Sequence, residues 1–299
     1  MDIETKDTSH SSGNVTPAYV YVNGEVVTEG KATVPVKDRG FLYGDAIFET
    51  LRSYNGRPFL LGPHLERLSS SAHALGIPLE KTPDELTEAV LRLLETNGLK
   101  DAYIRITVSR GTGGDGLVPA EAPSPTLIIE TRPFKPYPDA LYENGMRLII
   151  SGYRRSTTNP AMRHKTGNFL VPIMARQEAS RKDAQDALFL NTEGDVCEGT
   201  VWNIFMVEGS SVITPSLEAN LLLGITRETV LKICDDTGIA ASEELFGAER
   251  LLAADEVFAT NSLVEVMPVA SIDGRLIGQK IPANITRRLM GEYKKLTLT

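Results

Sequence analysis

The chain has 299 residues, enough for two ordinary domains. Its apolar content of 41% and charged content of 23% lie in the globular range, so it can bury large cores. A formal net charge of −8 argues against nucleic acid or an anionic membrane surface as the main partner, and two cysteines, Cys197 and Cys234, make neither a disulfide framework nor a metal-ligand set.

Residues 1–17 are rich in Ser, Thr, Asp and Asn and lack an apolar core, so they read as a loose arm, neither signal peptide nor anchor. No stretch is long and apolar enough to span a bilayer, and a reducing cytoplasm is the natural compartment for two unpaired thiols. Tyr19 to Val27 reads as two strands around Asn23-Gly24, a pair suited to a tight hairpin turn. Ile47 to Leu61 repeats the pattern around Asn55-Gly56. A helix follows, with Pro63 in its first turn, Leu65, Leu68, Ala72 and Leu75 on one face, and Gly76 as its stop. Thr82-Pro83-Asp84-Glu85 is a capping box that opens a second helix, closed by Gly98. Strands are expected at 102–109, 126–131 and 146–152.

In the second half a helix is expected from about Gly167 to Arg181, then strands at 187–191 and 201–207 joined by a turn at Glu193-Gly194-Asp195. A strand at 212–214, a helix from Thr226 to about Asp236, a strand at 256–260 and a terminal helix near 285–294 complete the chain. Strands and helices mix without regular alternation, which makes the fold α+β in two domains. The domains are drawn at 18–132 and 146–299, with the Pro-rich segment 133–145 as linker.

Gly111-Thr112-Gly113-Gly114-Asp115-Gly116 spells a dinucleotide fingerprint. That site needs a helix to begin inside it, and Pro119, Pro123 and Pro125 forbid one. The segment is read as a flexible loop beside a site.

Three further runs carry more: Arg163-His164-Lys165-Thr166-Gly167-Asn168, Glu198-Gly199-Thr200-Val201-Trp202-Asn203, and Leu223-Gly224-Ile225-Thr226-Arg227. With Asp38-Arg39-Gly40-Phe41-Leu42-Tyr43-Gly44-Asp45, His64-x-x-Arg67-Leu68, and Ala254-Asp255-Glu256-Val257-Phe258 with Thr260-Asn261-Ser262, the chain resembles the class IV aminotransferases. These fold-type IV enzymes depend on pyridoxal 5′-phosphate (PLP) and include branched-chain aminotransferases, D-amino acid aminotransferases and aminodeoxychorismate lyases. The resemblance implies a two-domain D-amino acid aminotransferase-like fold, in a homodimer with the site near its interface.

It also implies roles. Lys165 would hold PLP as a Schiff base and move the substrate proton, since lysine alone supplies an amine. Glu198 would face the pyridine nitrogen and keep the ring protonated. Arg67, the helix start at Gly224, Ile225 and Thr226, and Ser262 would hold the phosphate, for which free amides and a guanidinium fork are suited. Taken alone, Arg67 would read as a solvated helix face and Thr226 as a simple cap. Branched-chain members carry a tyrosine shortly after the lysine, whereas this chain has Lys165-x-x-Asn168 followed by Phe169.

Tyr43, Phe48, Tyr103 and Arg105 match substrate-pocket positions of the branched-chain enzymes, while Thr50, Asn261-Ser262-Leu263 and the run from Ser109 to Gly114 look like the lyases. The expectation is amino transfer between an amino acid, with branched-chain substrates preferred, and a 2-oxo acid such as 2-oxoglutarate. The alternatives are aminodeoxychorismate lyase and a D-amino acid or (R)-amine transaminase. A scaffold that merely kept the fold would not need Lys165, Glu198 and the phosphate set together.

Overall fold

A computed structural model describes residues 18–298; the expectation of a loose arm at 1–17 falls outside them. Two sheets organise the chain. The first half contains strands β1 (Tyr19–Val22), β2 (Glu25–Thr28), β3 (Ala46–Tyr54), β4 (Arg57–Pro58), β5 (Ala102–Asp115) and β6 (Val118–Pro133). Helix α1 (Arg39–Tyr43) precedes β3, and α2 (Leu61–Leu75) and α3 (Pro83–Thr96) precede β5. The strands order as β2-β1-β6-β5-β3-β4.

Both expected hairpins form where Asn-Gly supplies two residues at positive φ: Asn23 and Gly24 at 48° and 105°, Asn55 and Gly56 at 51° and 84°. The second is shorter than its pattern suggests, because α2 captures Leu61 and leaves β4 only two residues. The capping box of Thr82 and Glu85 opens α3 as expected, and Gly76 ends α2 at φ 62°. Leu65 and Leu68 of α2 and Leu86, Val90 and Leu93 of α3 bury one face of the sheet with Ile47, Leu51, Ile104 and Ile106. Each such side chain contributes roughly 1.5–3 kcal/mol.

The glycine-rich segment is strand, not loop. β5 and β6 continue as one long hairpin to Asp115 and Val118, with register shifts between Ser109, Thr112 and Gly114. A Cβ on Gly111 would lie 1.6 Å from Ser124 O, and one on Gly114 would lie 2.3 Å from Val118 O, so these glycines permit close strand approach. Strand β1 pairs with β6 only at Ile128–Glu130. Pro119, Pro123 and Pro125 therefore sit where the outer edge has no ladder to lose.

After β6 come a short helix α4 (Asp139–Asn144), β7 (Met146–Arg155), α5 (Leu170–Arg181), β8 (Asp186–Asn191), β9 (Val196–Gly199), β10 (Asn203–Glu208), β11 (Ser211–Pro215) and α6 (Ile225–Asp236). Then follow β12 (Ala241–Glu244), α7 (Ala248–Leu252), β13 (Glu256–Asn261), β14 (Glu265–Ile272), β15 (Arg275–Leu276) and α8 (Asn284–Leu296). Their order is β12-β11-β10-β13-β14-β7-β8-β9, with β15 on β14. Strand β9 also pairs back with β10 through Glu198 and Asn203, closing β10, β13, β14, β7, β8 and β9 into a ring. The turn at Glu193–Asp195 leads into this short β9, which no local pattern in the sequence announces. No helix among the described residues is long and apolar enough to cross a membrane.

Candidate active site

A cavity of about 550 Å³ opens between the first sheet, the loop after β7, strand β9 and the start of α6, a size suited to a cofactor-scale ligand. Strand alternation supplies one wall. Phe48 and Thr50 of β3 pair with Thr107 and Arg105 of β5, and Arg52 pairs with Tyr103. These positions share the sheet face opposite α2 and α3. Arg105 lies 3.8 Å from the Phe48 ring centroid and donates to Thr107 Oγ1 at 3.2 Å. Of the four arginines lining the cavity, it alone has no carboxylate partner among the described residues; Arg67, Arg155 and Arg176 face Glu49, Glu198 and Asp186.

Lys165 is set in place by the first sheet. Because β4 is so short, the first half of β3 keeps a free edge, and the lysine loop occupies it. Phe48 N donates to Lys165 O at 2.9 Å, and Gly167 N donates to Ala46 O at 2.8 Å. The ammonium lies 4.5 Å from the Phe48 ring centroid. Burial pulls the Lys165 pKa down to about 8, further lowered by Arg67 and Arg105 and opposed by Glu49 and Glu198. A substantial fraction of the amine is thus neutral near pH 8.

Glu198, on β9, lines the same cavity and is buried. Arg155 pairs with its Oε1, while Asn203 Nδ2 and Leu222 N approach Oε2, each at 3.3 Å. Burial pushes the Glu198 pKa up, and Arg155 and the Leu222 amide work against that rise. Asn203 also donates to Leu222 O at 2.9 Å, tying β9 to the segment before α6.

At the other end of the cavity, α6 starts at Ile225 with Gly224 as its cap, and its first-turn amides have no intrahelical partner. A Cβ on Gly224 would lie 2.0 Å from Asn203 Oδ1, so a side chain there would have to displace Asn203 or the helix start. Arg67 Nη1 donates to Leu223 O at 2.5 Å, and its Nε and Nη2 clamp Glu49, each at 2.7 Å. The Arg67 guanidinium, the main charge facing Glu49, holds that buried carboxyl at about 2 against the upward pull of burial. Ser262 and the buried Thr260, whose hydroxyl has no hydrogen-bond partner among the described residues, line the same cavity.

Ten of the eleven residues singled out from the sequence thus meet in one cavity. Tyr43 does not: it is 42% exposed at the end of α1 with the Arg39 guanidinium 5.0 Å from its ring centroid, and is absent from the cavity wall. The five-residue α1, tied down through Arg39, directs Tyr43 outward. Asn261 lines the cavity, but its amide is engaged by Val201 O, Leu263 N and Val264 N. Sequence reasoning missed Glu49, His64 and Arg155 as partners of the predicted residues. His64 stood in the quoted run without a role. Arg155 carried no signal, since its pairing depends on β7 lying near β9.

The sequence profile of the family described as "Amino-transferase class IV" matches residues 46–272. The chain belongs to this family. It is 34% identical to the aminodeoxychorismate lyase of Bacillus subtilis (strain 168), over 92% of this chain and 94% of that protein. The branched-chain amino acid aminotransferase of Escherichia coli superposes with a TM-score of 0.90 at 31% identity, covering 94% of this chain and 95% of that one. A branched-chain amino acid aminotransferase from T.th., solved with pyridoxamine 5′-phosphate, gives 0.88 at 30% identity, covering 95% of each chain. The fold is that of these fold-type IV enzymes.

Proposed function

We propose that this class IV aminotransferase binds PLP in the cavity and exchanges an amino group between a branched-chain amino acid and a 2-oxo acid such as 2-oxoglutarate. One observation carries the reading: a lysine amine tuned to about 8 shares a cavity with a buried glutamate and with an arginine beside a helix start. Bound PLP supplies an electron sink for the substrate Cα. The residues suit that group, since the Thr260 hydroxyl on the cavity wall is buried with no hydrogen-bond partner among the described residues.

In this reading Lys165 Nζ would hold the cofactor covalently, and its amine would be the group that takes up the proton from the substrate Cα. Glu198, paired with Arg155, would face the pyridine nitrogen as its hydrogen-bond acceptor. Arg67, the amides of Ile225 and Thr226, and Ser262 hold the phosphate. Phe48 and Tyr103 shape an apolar pocket, and Arg105 pairs with a substrate carboxylate, the partner that the described residues do not provide.

The competing reading is aminodeoxychorismate lyase. Thr50 on the cavity wall favours it, whereas the backbone-bound amide of Asn261 leaves that residue little to offer a substrate. Donor alone separates the two. With L-leucine or L-valine and no acceptor, a transaminase stops with its cofactor aminated, seen as loss of the visible absorbance band. Release of pyruvate from aminodeoxychorismate, with no spectral change on any donor, would establish the lyase.

We propose also that the protein works as a homodimer in a reducing compartment such as the cytoplasm. Phe41, Leu42 and Tyr43 of α1, Leu117 at the hairpin tip, and Leu170, Val171 and Ile173 of α5 are all exposed. Arg39 ties α1 to Gly116 and Leu117, and Gly44 abuts Asn168, so these residues form one apolar face beside the cavity. Such a face suits a second copy of the chain.

A further inference from the structure

A carboxylate, an imidazole and a hydroxyl stand in line beneath the α6 end of the cavity. Glu49 Oε2 lies 2.7 Å from His64 Nδ1, and His64 Nε2 lies 3.2 Å from Ser262 Oγ. His64 and Glu49 are both about 1% exposed, so neither side chain trades its partner for solvent.

The proton positions follow from chemistry. Glu49 is clamped by the Arg67 fork and is a carboxylate, hence purely an acceptor. His64 Nδ1 must then carry the hydrogen. Burial pushes the His64 pKa down, and the nearby Arg67 and Lys165 charges add to that against the pull of Glu49; near pH 8, above the ordinary histidine range, the ring of the phosphate-free protein is therefore neutral. Its Nε2 is a bare lone pair, so the Ser262 hydroxyl donates to it and turns only its own lone pairs toward the cavity. A phosphate dianion at Ser262 would meet lone pairs. For Ser262 to donate to the phosphate, its hydrogen must swing round, and Nε2 then faces an oxygen lone pair unless it gains a hydrogen of its own.

We infer that Glu49, His64 and Ser262 form a proton relay under the phosphate end of the cavity, and that capture of a phosphate-bearing cofactor transfers one solvent proton to His64 Nε2. The imidazolium then donates from both nitrogens, to Glu49 and to Ser262, and Ser262 donates to the phosphate. His64 is a positioning residue, since it touches neither the reacting atoms nor the cofactor. The inference rests on the proposed placement of phosphate beside Arg67 and Ser262.

Pyridoxine 5′-phosphate tests it, because it carries the phosphate without an aldehyde and so leaves Lys165 unmodified. The work is done on cofactor-stripped protein near pH 8, about two units above the second phosphate ionisation near 6. The chain has 4 histidines, few enough for their ring nitrogens to be assigned by ¹⁵N NMR. His64 should change from the neutral form protonated at Nδ1 to the doubly protonated form when ligand is added. Calorimetry in buffers of different ionisation enthalpy should show wild type taking up roughly one proton more than His64→Gln. The comparison is made as a difference because Lys165 titrates in the same range. Binding with an unchanged neutral His64 would overturn the relay and leave the cofactor site standing. No binding at all would overturn the cofactor site and the relay with it. Should His64→Gln fail to fold, the wild-type ring spectrum decides alone.

Discussion

Lys165 is held where its charge is unfavourable, and that cost is measurable apart from catalysis. Its pKa falls from 10.5 to about 8 in the folded chain, so between those values the unfolded state binds more protons and stability rises with pH. Below pH 8 both states are charged and the folded protein bears the full penalty, about 3 kcal/mol. Lys165→Met should therefore be inactive yet more stable than the cofactor-free wild type at pH 7. The gap should close as pH climbs from 8 to 10.5, as followed by urea melts at each pH. A constant gap would mean that Lys165 is not desolvated. Glu198 is tested by rate. Glu198→Gln keeps the shape but cannot hold a full charge at the ring nitrogen, and turnover should drop roughly 10–150-fold, corresponding to about 1.5–3 kcal/mol. Cofactor should remain bound through dialysis; wild-type turnover would return Glu198 to a structural role.

The start of α6 illustrates how one element depends on its neighbours. The segment leading into its first turn is held by Asn203 of β10 through Leu222 O, and that contact leaves Asn203 Oδ1 where a Cβ on residue 224 would be. Gly224→Ala must displace one or the other. We expect cofactor affinity to fall by about tenfold or more, the equivalent of roughly 1.4 kcal/mol, as measured by equilibrium dialysis with pyridoxine 5′-phosphate. Retention of wild-type affinity would show that the cradle tolerates a shift. The long β5–β6 hairpin is a contrasting case. Its glycines match a phosphate-binding string, but their positive φ values of 75°, 122° and 98° at Gly111, Gly113 and Gly114 serve bulges in a ribbon. A one-dimensional spacing cannot tell a bulge from a phosphate loop, because both need backbone without Cβ.

Across the whole molecule, the two halves meet at the lysine loop, at the contacts of α2 with Leu223 and Ser262, and at a further seam through β3 and α8. There Tyr54 of β3 donates to Glu265 at 2.8 Å, and Phe59 packs edge-on against Tyr54 and Tyr293. This seam helps tie the first sheet to the second half of the chain. The apolar face carrying Phe41 is the molecule's other large-scale feature. Phe41 is 76% exposed, and Phe41→Asp should shift the protein toward monomer, read by light scattering at micromolar concentration. A wild type that is already monomeric would remove the dimer proposal.

Local chemistry in the chain determined a good deal by itself. The Asn-Gly hairpins, the capping box of α3 and the stop of α2 at Gly76 depend on neighbouring residues only, and they formed as expected. Lys165, Glu198 and the helix start at Gly224 are singled out only because their runs resemble a family; taken alone, a lysine reads as a solvated charge and Thr226 as a simple cap. Tertiary structure decided the remainder. Strand β14, with Pro268 inside it, was not legible as a strand; its pairing with β7 begins only at Val269, beyond the proline. Strand β9 is four residues long and exists because β8 and β10 lie on either side. Arg155 finds Glu198, and Glu49 finds His64 and Arg67, across 43, 15 and 18 residues of sequence. Such charge pairs are set by which faces the sheets and helices turn to one another, and no local pattern records that.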